Sequence, residues 1–257
     1  MLFLLIFSCA LLMIVYLAGC AWLRWRYPRG YVTTPPPFVD QLYQLAGAVD
    51  EVFNKHAIPY WATCGTLLGA VRHGGLIPWD DDVDLCIPIE YSASLEAAGE
   101  DLRAREFELY PYAFGRKIGW RVDPLKADCA PSRWVYFWRV FLRSHYPYID
   151  IWFVETKGDR MRFASPEWHA RLPNESVIFK NEVLPLKRCP FGPLQINCPA
   201  RPEGYLQRAF GDWQTGRVGL GHHVPRIFYI LQLFMRRTIP QAENKPGVVG
   251  PSPAQGG

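Results

Sequence analysis

Four aspartates fall within five residues, Asp80, Asp81, Asp82 and Asp84, in the stretch Cys64–Ile87 that reads CGTLLGAVRHGGLIPWDDDVDLCI. Apolar residues enclose them on both sides. In an extended strand side chains alternate faces at about 3.3 Å per residue, so Asp82 and Asp84 share one face roughly 6–7 Å apart. Two carboxylates about 5 Å apart repel by roughly 3 kcal/mol at an effective dielectric near 20. A fold that keeps such a pair on a partly buried strand needs a compensating cation. Hard oxygen ligands suit Mg2+ or Mn2+, ions that bridge carboxylates to substrate phosphates. Asp80 shares the parity of Asp82 and is an accessory candidate. Asp81 is expected to face away, toward solvent or a hydrogen-bonding partner.

Upstream, Gly65-Thr66 marks a strand-to-helix junction, where glycine admits a phosphate to the backbone and free amides plus a hydroxyl offer donors. Downstream, Tyr148-Ile149-Asp150-Ile151-Trp152 places one carboxylate in an apolar strand, which is costly unless that carboxylate is paired or metal-bound. A glycine–hydroxyl turn, an Asp-x-Asp strand and a later strand with a lone Asp together describe a phosphoryl-transfer site. Arg72 and His73, a helical turn past Thr66, suit either a diphosphate or an ordinary solvated helix end, and Lys117 and Arg121, on a later strand, are candidates for a donor phosphate. Trp79 suits either the core or a cytosine ring. His222-His223 lacks a third ligand nearby, and Cys64 and Cys86 read as small buried apolar residues.

These groups need elements to hold them. Apolar residues at helical spacing from Val39 to Phe53 predict an amphipathic helix. Ile58–Cys64 reads as a strand, Gly65–Val71 as a short helix, Val83–Ile89 as a second strand and Ser92–Arg105 as a charged helix. Strand-like stretches follow at Phe107–Tyr112, Lys117–Val122, Trp134–Leu142 and Tyr148–Glu155, and then loop-rich sequence to Trp213. Ile227–Met235 is apolar but too short to span a bilayer. The fold class is α/β (α+β), a mixed sheet flanked by helices.

Composition bounds the rest. In 257 residues, 49% are hydrophobic and 20% charged, which supports a packed core and excludes wholesale disorder. A net charge of +4 without a basic run makes a dedicated nucleic-acid binder a poor fit. Seven cysteines without a C-x-x-C pair argue against a zinc ribbon or a thioredoxin-type site. Leu2–Leu23 carries no charge and is long enough for a single membrane-spanning helix, with Trp22, Trp25 and Tyr27 at the interface. Leu17-Ala18-Gly19-Cys20 also resembles a lipoprotein cleavage box, but no basic residue precedes the apolar stretch. The expected organisation is an anchor with its basic flank over 1–29, a Pro-rich linker over 30–37, a catalytic domain over 38–235 and a disordered tail over 236–257. Orientation stays open: Arg24, Arg26 and Arg29 favour a cytosolic domain, whereas the sequon Asn174-Glu175-Ser176 matters only in a secretory lumen. Cys189 and Cys198, separated by eight residues, suit either a small disulfide loop or two buried thiols.

The string GTLLGAVRHGGLIPWDDDVDL resembles the LicD and fukutin / fukutin-related family, a branch of the polymerase-β-like nucleotidyltransferase superfamily. The likeness continues more loosely through YIDIW, Pro185-Leu186, Pro190-Phe191-Gly192, Ile196-Asn197-Cys198-Pro199 and Tyr205-Leu206, to Phe210-Gly211-Asp212-Trp213, and covers about Phe38–Trp213. It implies a nucleotidyltransferase-like fold, Asp82 and Asp84 as the metal pair, Asp150 as the third catalytic carboxylate, and Gly65 and Thr66 on phosphate. It further implies transfer of phosphocholine or ribitol phosphate from a CDP-linked donor to a glycan or glycoprotein hydroxyl, with release of CMP, in a Golgi-type lumen. No cysteine cluster for the zinc-binding insertion of the fukutin-related branch and no large stem domain are seen, so the catalytic module is expected to stand almost alone behind its anchor. Two rivals share the acidic motif: a metal-dependent glycosyltransferase using a nucleotide sugar, and a non-catalytic family member acting as a membrane scaffold.

Overall fold

A computed structural model describes residues 13–19, 34, 36–121 and 147–215 in two units, 1–33 with 215–243 and 34–214 with 244–257. Of the first unit, residues 13–19 form an apolar, largely exposed helix. Among the described residues no helix is long and apolar enough to cross a membrane. Most of the expected anchor, the strand expected at Trp134–Leu142, His222-His223, Ile227–Met235 and the tail lie outside the described residues.

The second unit begins with α1 (Pro36–Lys55). Prolines suit the first turn of a helix, where an N–H has no intrahelical partner. Leu42, Leu45, Ala46, Val49, Val52 and Phe53 form its buried stripe, as their spacing predicts. The chain then gives β1 (Trp61–Ala62), α2 (Cys64–His73) and β2 (Val83–Pro88). Gly74, left-handed at φ 68°, caps α2 by donating its N–H to Gly69. The expected charged helix is two short ones, α3 (Ser92–Ala97) and α4 (Gly99–Arg103), divided at Ala98-Gly99, where glycine weakens helix propensity. Next come β3 (Phe107–Tyr112), β4 (Gly115–Trp120) and β5 (Tyr148–Lys157).

The stretch read as loop-rich is ordered into short pieces: β6 (Arg160–Phe163), α5 (Pro166–Arg171), β7 (Val177–Phe179), α6 (Lys180–Val183), β8 (Lys187–Phe191), β9 (Leu194–Cys198) and α7 (Glu203–Phe210). None is long enough to declare a period, and Pro190 lies within β8.

The main sheet runs β1-β2-β5-β4-β3, with β6 and β7 continuing from the far half of β5. Among the described residues β2 and β5 are the one parallel pair and the others are antiparallel, so the sheet is mixed as expected. β5 is therefore central, buried from Tyr148 to Val154, with β2 on one side and β4 on the other. α1 packs against β5 and α4, while β8 and β9 form a separate hairpin that packs on α2 and β1.

Candidate active site

Asp84 of β2 and Asp150 of β5 occupy the same rung of the parallel pair, and Lys117 of β4 occupies the matching rung on the other side of Asp150. Neighbouring strands lie about 4.8 Å apart, so two carboxylates and an ammonium stand side by side across the centre of the sheet. Lys117 Nζ is 2.5 Å from Asp150 Oδ1. The same ammonium lies 3.6 Å from the centroid of the Tyr148 ring and 4.5 Å from that of Tyr112, where ring faces favour a cation. The structure thus brings Asp84, Asp150 and Lys117 together, with Lys117 against the Asp150 carboxylate.

Asp82 precedes β2, and with Asp80 and Asp81 it lies in the loop that feeds the strand. Strand alternation therefore does not govern these three. Asp81, expected to face away to solvent or to a hydrogen-bonding partner, is only 3% exposed. Among the described residues Asp80, Asp81 and Asp82 each present a carboxylate oxygen within 4.8 Å of the other two. Asp82 joins this cluster to the β2–β5 pair. Burial, followed by the charge of Asp84, pushes the Asp82 carboxyl well up; burial, followed by Asp150, does the same to Asp84. Asp80 rises to about 7 through burial and the charge of Asp81.

All of these carboxylates are hard oxygen donors of the kind Mg2+ or Mn2+ takes. Among the described residues the three whose oxygens approach closely enough to share one ion are Asp80, Asp81 and Asp82, whereas the expected trio of Asp82, Asp84 and Asp150 does not form so tight a group.

The Gly-Thr turn meets the acidic groups more directly than a phosphate cradle alone requires. Asp84 N–H donates to Thr66 Oγ1 at 2.7 Å, and Thr66 is 1% exposed. A methyl on Gly65 would come within 2.7 Å of Asp80 Oδ2, so the missing side chain makes room for that carboxylate. The linker contributes as well. Thr34 donates its hydroxyl to the Asp80 carbonyl at 2.5 Å and its N–H to the Pro78 carbonyl at 2.8 Å.

Arg72 is turned to other partners: its guanidinium donates to His73 Nε2 at 3.0 Å and to the Trp213 carbonyl at 3.1 Å. Burial, with the Arg72 charge beside it, lowers the His73 imidazole to about 4. Trp79 packs against the core and meets His73 edge to face at 6.5 Å. Arg121 donates its backbone N–H to the Glu106 carbonyl. Cys64 and Cys86 are buried free thiols as expected, and so are Cys189 and Cys198.

Trp152 has a part in the site that sequence reasoning missed. Its indole N–H donates to Asp84 Oδ1 at 2.9 Å. Its ring stacks on Phe114 at 3.9 Å and on Phe163 at 4.6 Å, with Trp168 edge-on. An indole gripped on both faces holds the Asp84 carboxylate in one orientation. The signal was present, since Tyr148, Asp150 and Trp152 share one face of a strand by parity.

The model of the family described as LicD/FKTN/FKRP, nucleotidyltransferase domain, matches residues 57–201, more than half of the chain and spanning every acidic group above. The chain belongs to the LicD/FKTN/FKRP family. An uncharacterised protein of Rickettsia prowazekii is 29% identical over 172 residues, 67% of this chain and 54% of that protein. Human ribitol 5-phosphate transferase FKRP is 29% identical over 180 residues, 69% of this chain and 32% of that protein. The chain thus spans about half of the first relative and a third of the second. The lipopolysaccharide cholinephosphotransferase LicD of Haemophilus influenzae is 55% identical over 32 residues, 12% of each chain. Among solved structures, lincomycin-bound lincosamide antibiotic adenylyltransferase LnuA aligns at a TM-score of 0.38 and 12% identity, covering 74% of this chain and 93% of that one.

Proposed function

We propose that this LicD/FKTN/FKRP-family chain is a phosphotransferase that moves a phospho-alcohol, of the phosphocholine or ribitol-phosphate type, from a CDP-linked donor to a hydroxyl of a glycan or glycoprotein. The observation that carries this reading is the shared rung of Asp84 and Asp150 on adjacent parallel strands, with Asp82 immediately before. A divalent cation on Asp82, Asp84 and Asp150, with Asp80 within reach, would neutralise charge on the donor phosphates. The chain's own groups do the rest. Asp150, beside Asp84 on the sheet, accepts the proton of the attacking hydroxyl. Lys117, 2.5 Å from Asp150, would supply positive charge to the donor phosphate beside the carboxylates. Gly65 and Thr66 hold the turn against Asp80 and Asp84, and Arg72, at the end of α2, would serve the diphosphate only by giving up its bonds to His73 and the Trp213 carbonyl. The printed names of the human and Haemophilus relatives, a ribitol 5-phosphate transferase and a cholinephosphotransferase, support the reaction class.

The same reading anchors the domain through residues 1–29 and places it in a Golgi-type lumen.

The test is to incubate the protein with a panel of CDP-linked alcohols and a glycan acceptor, with and without chelator. CMP release that needs the metal is expected. Release of UDP or GDP from nucleotide sugars instead would favour the glycosyltransferase, and no binding of Mg2+ or any CDP-alcohol would favour the scaffold.

A further inference from the structure

Tyr205 stands on α7, far along the chain from the phosphate turn, and the reaction proposed above gives it no part. It is 2% exposed. Its hydroxyl accepts a hydrogen bond from the Cys64 backbone N–H at 3.2 Å, and lies 3.0 Å from Thr63 Oγ1 and 3.8 Å from Cys64 Sγ. Cys64 is where the chain turns from β1 into α2. It does so at φ 46°, a left-handed conformation that a cysteine keeps only when its surroundings impose it.

That turn grips Asp84 from both sides. Thr63 N–H donates to the Asp84 carbonyl at 3.1 Å, and Asp84 N–H donates to Thr66 Oγ1 at 2.7 Å. Both backbone groups of the carboxylate-bearing residue are thus held by the segment whose left-handed residue Tyr205 engages. Without the hydroxyl, the buried Cys64 N–H loses this partner, and the turn is free to relax toward ordinary backbone geometry.

We infer that Tyr205 is a positioning residue: its hydroxyl holds the Thr63–Thr66 turn in the left-handed form that sets Asp84 on the rung of Asp150. The kinetic consequence rests on the phosphotransferase reading; the geometric one does not.

Tyr205→Phe keeps the ring and deletes the hydroxyl. The expected result is a fall of about tenfold in kcat, the effect of one lost positioning hydrogen bond, with little change in KM for the CDP-alcohol. Amide hydrogen exchange should quicken by about tenfold at residues 63–67 and 83–85. Leu102→Val, a core change on α4, serves as the control: it lowers Tm but leaves kcat of the folded enzyme and exchange at the turn as in wild type. Wild-type exchange at the turn in Tyr205→Phe overturns the inference, as does a kcat loss that Leu102→Val reproduces. If wild-type protein releases no CMP from any CDP-linked alcohol, the phosphotransferase reading fails instead, and the exchange arm still decides the role of Tyr205.

Discussion

Two carboxylate neighbourhoods of this molecule follow opposite electrostatic rules. At Asp50, on α1, Arg188 of the β8 strand donates to both carboxylate oxygens at 2.7 Å, and Tyr60 and Asn54 donate as well. Burial alone would raise Asp50, but the hydrogen bonds and charge of Arg188, helped by Tyr60, outweigh it and lower its pKa. In the loop leading to β2, and at Asp84 on β2 itself, the balance reverses, and burial plus like charge raises Asp80, Asp82 and Asp84. A carboxylate that fastens elements together has been supplied with its cation. Those in and beside β2 have Lys117 near Asp150 and a crowd of their own kind. The difference supports the proposal that the second group is a site rather than a fastening.

The comparison breaks most visibly at Asp84. Asp84→Asn should cut turnover by about a thousandfold or more, roughly 4 kcal/mol of transition-state stabilisation, and should leave Tm unchanged or higher because repulsion is relieved. Steady-state CMP release and a thermal melt check both halves, and full activity in the folded variant would end the assignment. Asp50→Ala should do the reverse. It should lower stability by about 2 kcal/mol through loss of charged hydrogen bonds, with kcat of the folded enzyme unchanged, read from urea melts and kinetics on the same preparation.

A smaller effect is expected at Trp152→Phe, which keeps the stacked ring and deletes the donor to Asp84 Oδ1. Turnover should fall by about tenfold while KM for the acceptor stays near the wild-type value.

The smallest test is the pH dependence of stability, measured in chelator. Asp50, lowered on folding, contributes stability that is full above its unfolded value near 4 and is lost as pH falls through its folded value. Asp80, raised to about 7, works the other way: its contribution is full below about 4 and is lost as pH rises toward 7. The stability gained by Asp80→Asn over wild type should therefore grow between about pH 4 and 7. Asp50→Asn should instead flatten the acid limb.

Legibility followed the range of the interactions. The helix from Pro36 to Lys55 was readable because Leu42, Leu45, Val49 and Val52 repeat within a few residues of one another. The acidic string was readable because its cost is local: four aspartates among apolar residues demand an explanation before any fold is known. Asp81 departs from its expected place because strand alternation does not govern a residue that lies before Val83, where the strand begins. The short strands from Lys187 to Cys198 escaped notice because five residues carry too little periodicity to declare themselves. Their place is set by contacts from elsewhere, such as Tyr43, which a methyl on Gly192 would strike.

What the amino-acid order determined alone was the chemistry on offer: carboxylates in a string, a lone aspartate in an apolar strand, and a glycine–threonine turn ahead of them. Residue type and near-neighbour spacing are properties of the chain itself. What only the tertiary structure decided was which of these groups meet. The parallel register that sets Asp84 beside Asp150, the ammonium of Lys117 on the next strand, the Trp152 bond to Asp84 and the reach of Tyr205 to Cys64 all join residues distant in sequence. Such meetings depend on how strands pair and helices pack, and no local pattern encodes a pairing whose partner lies more than sixty residues away.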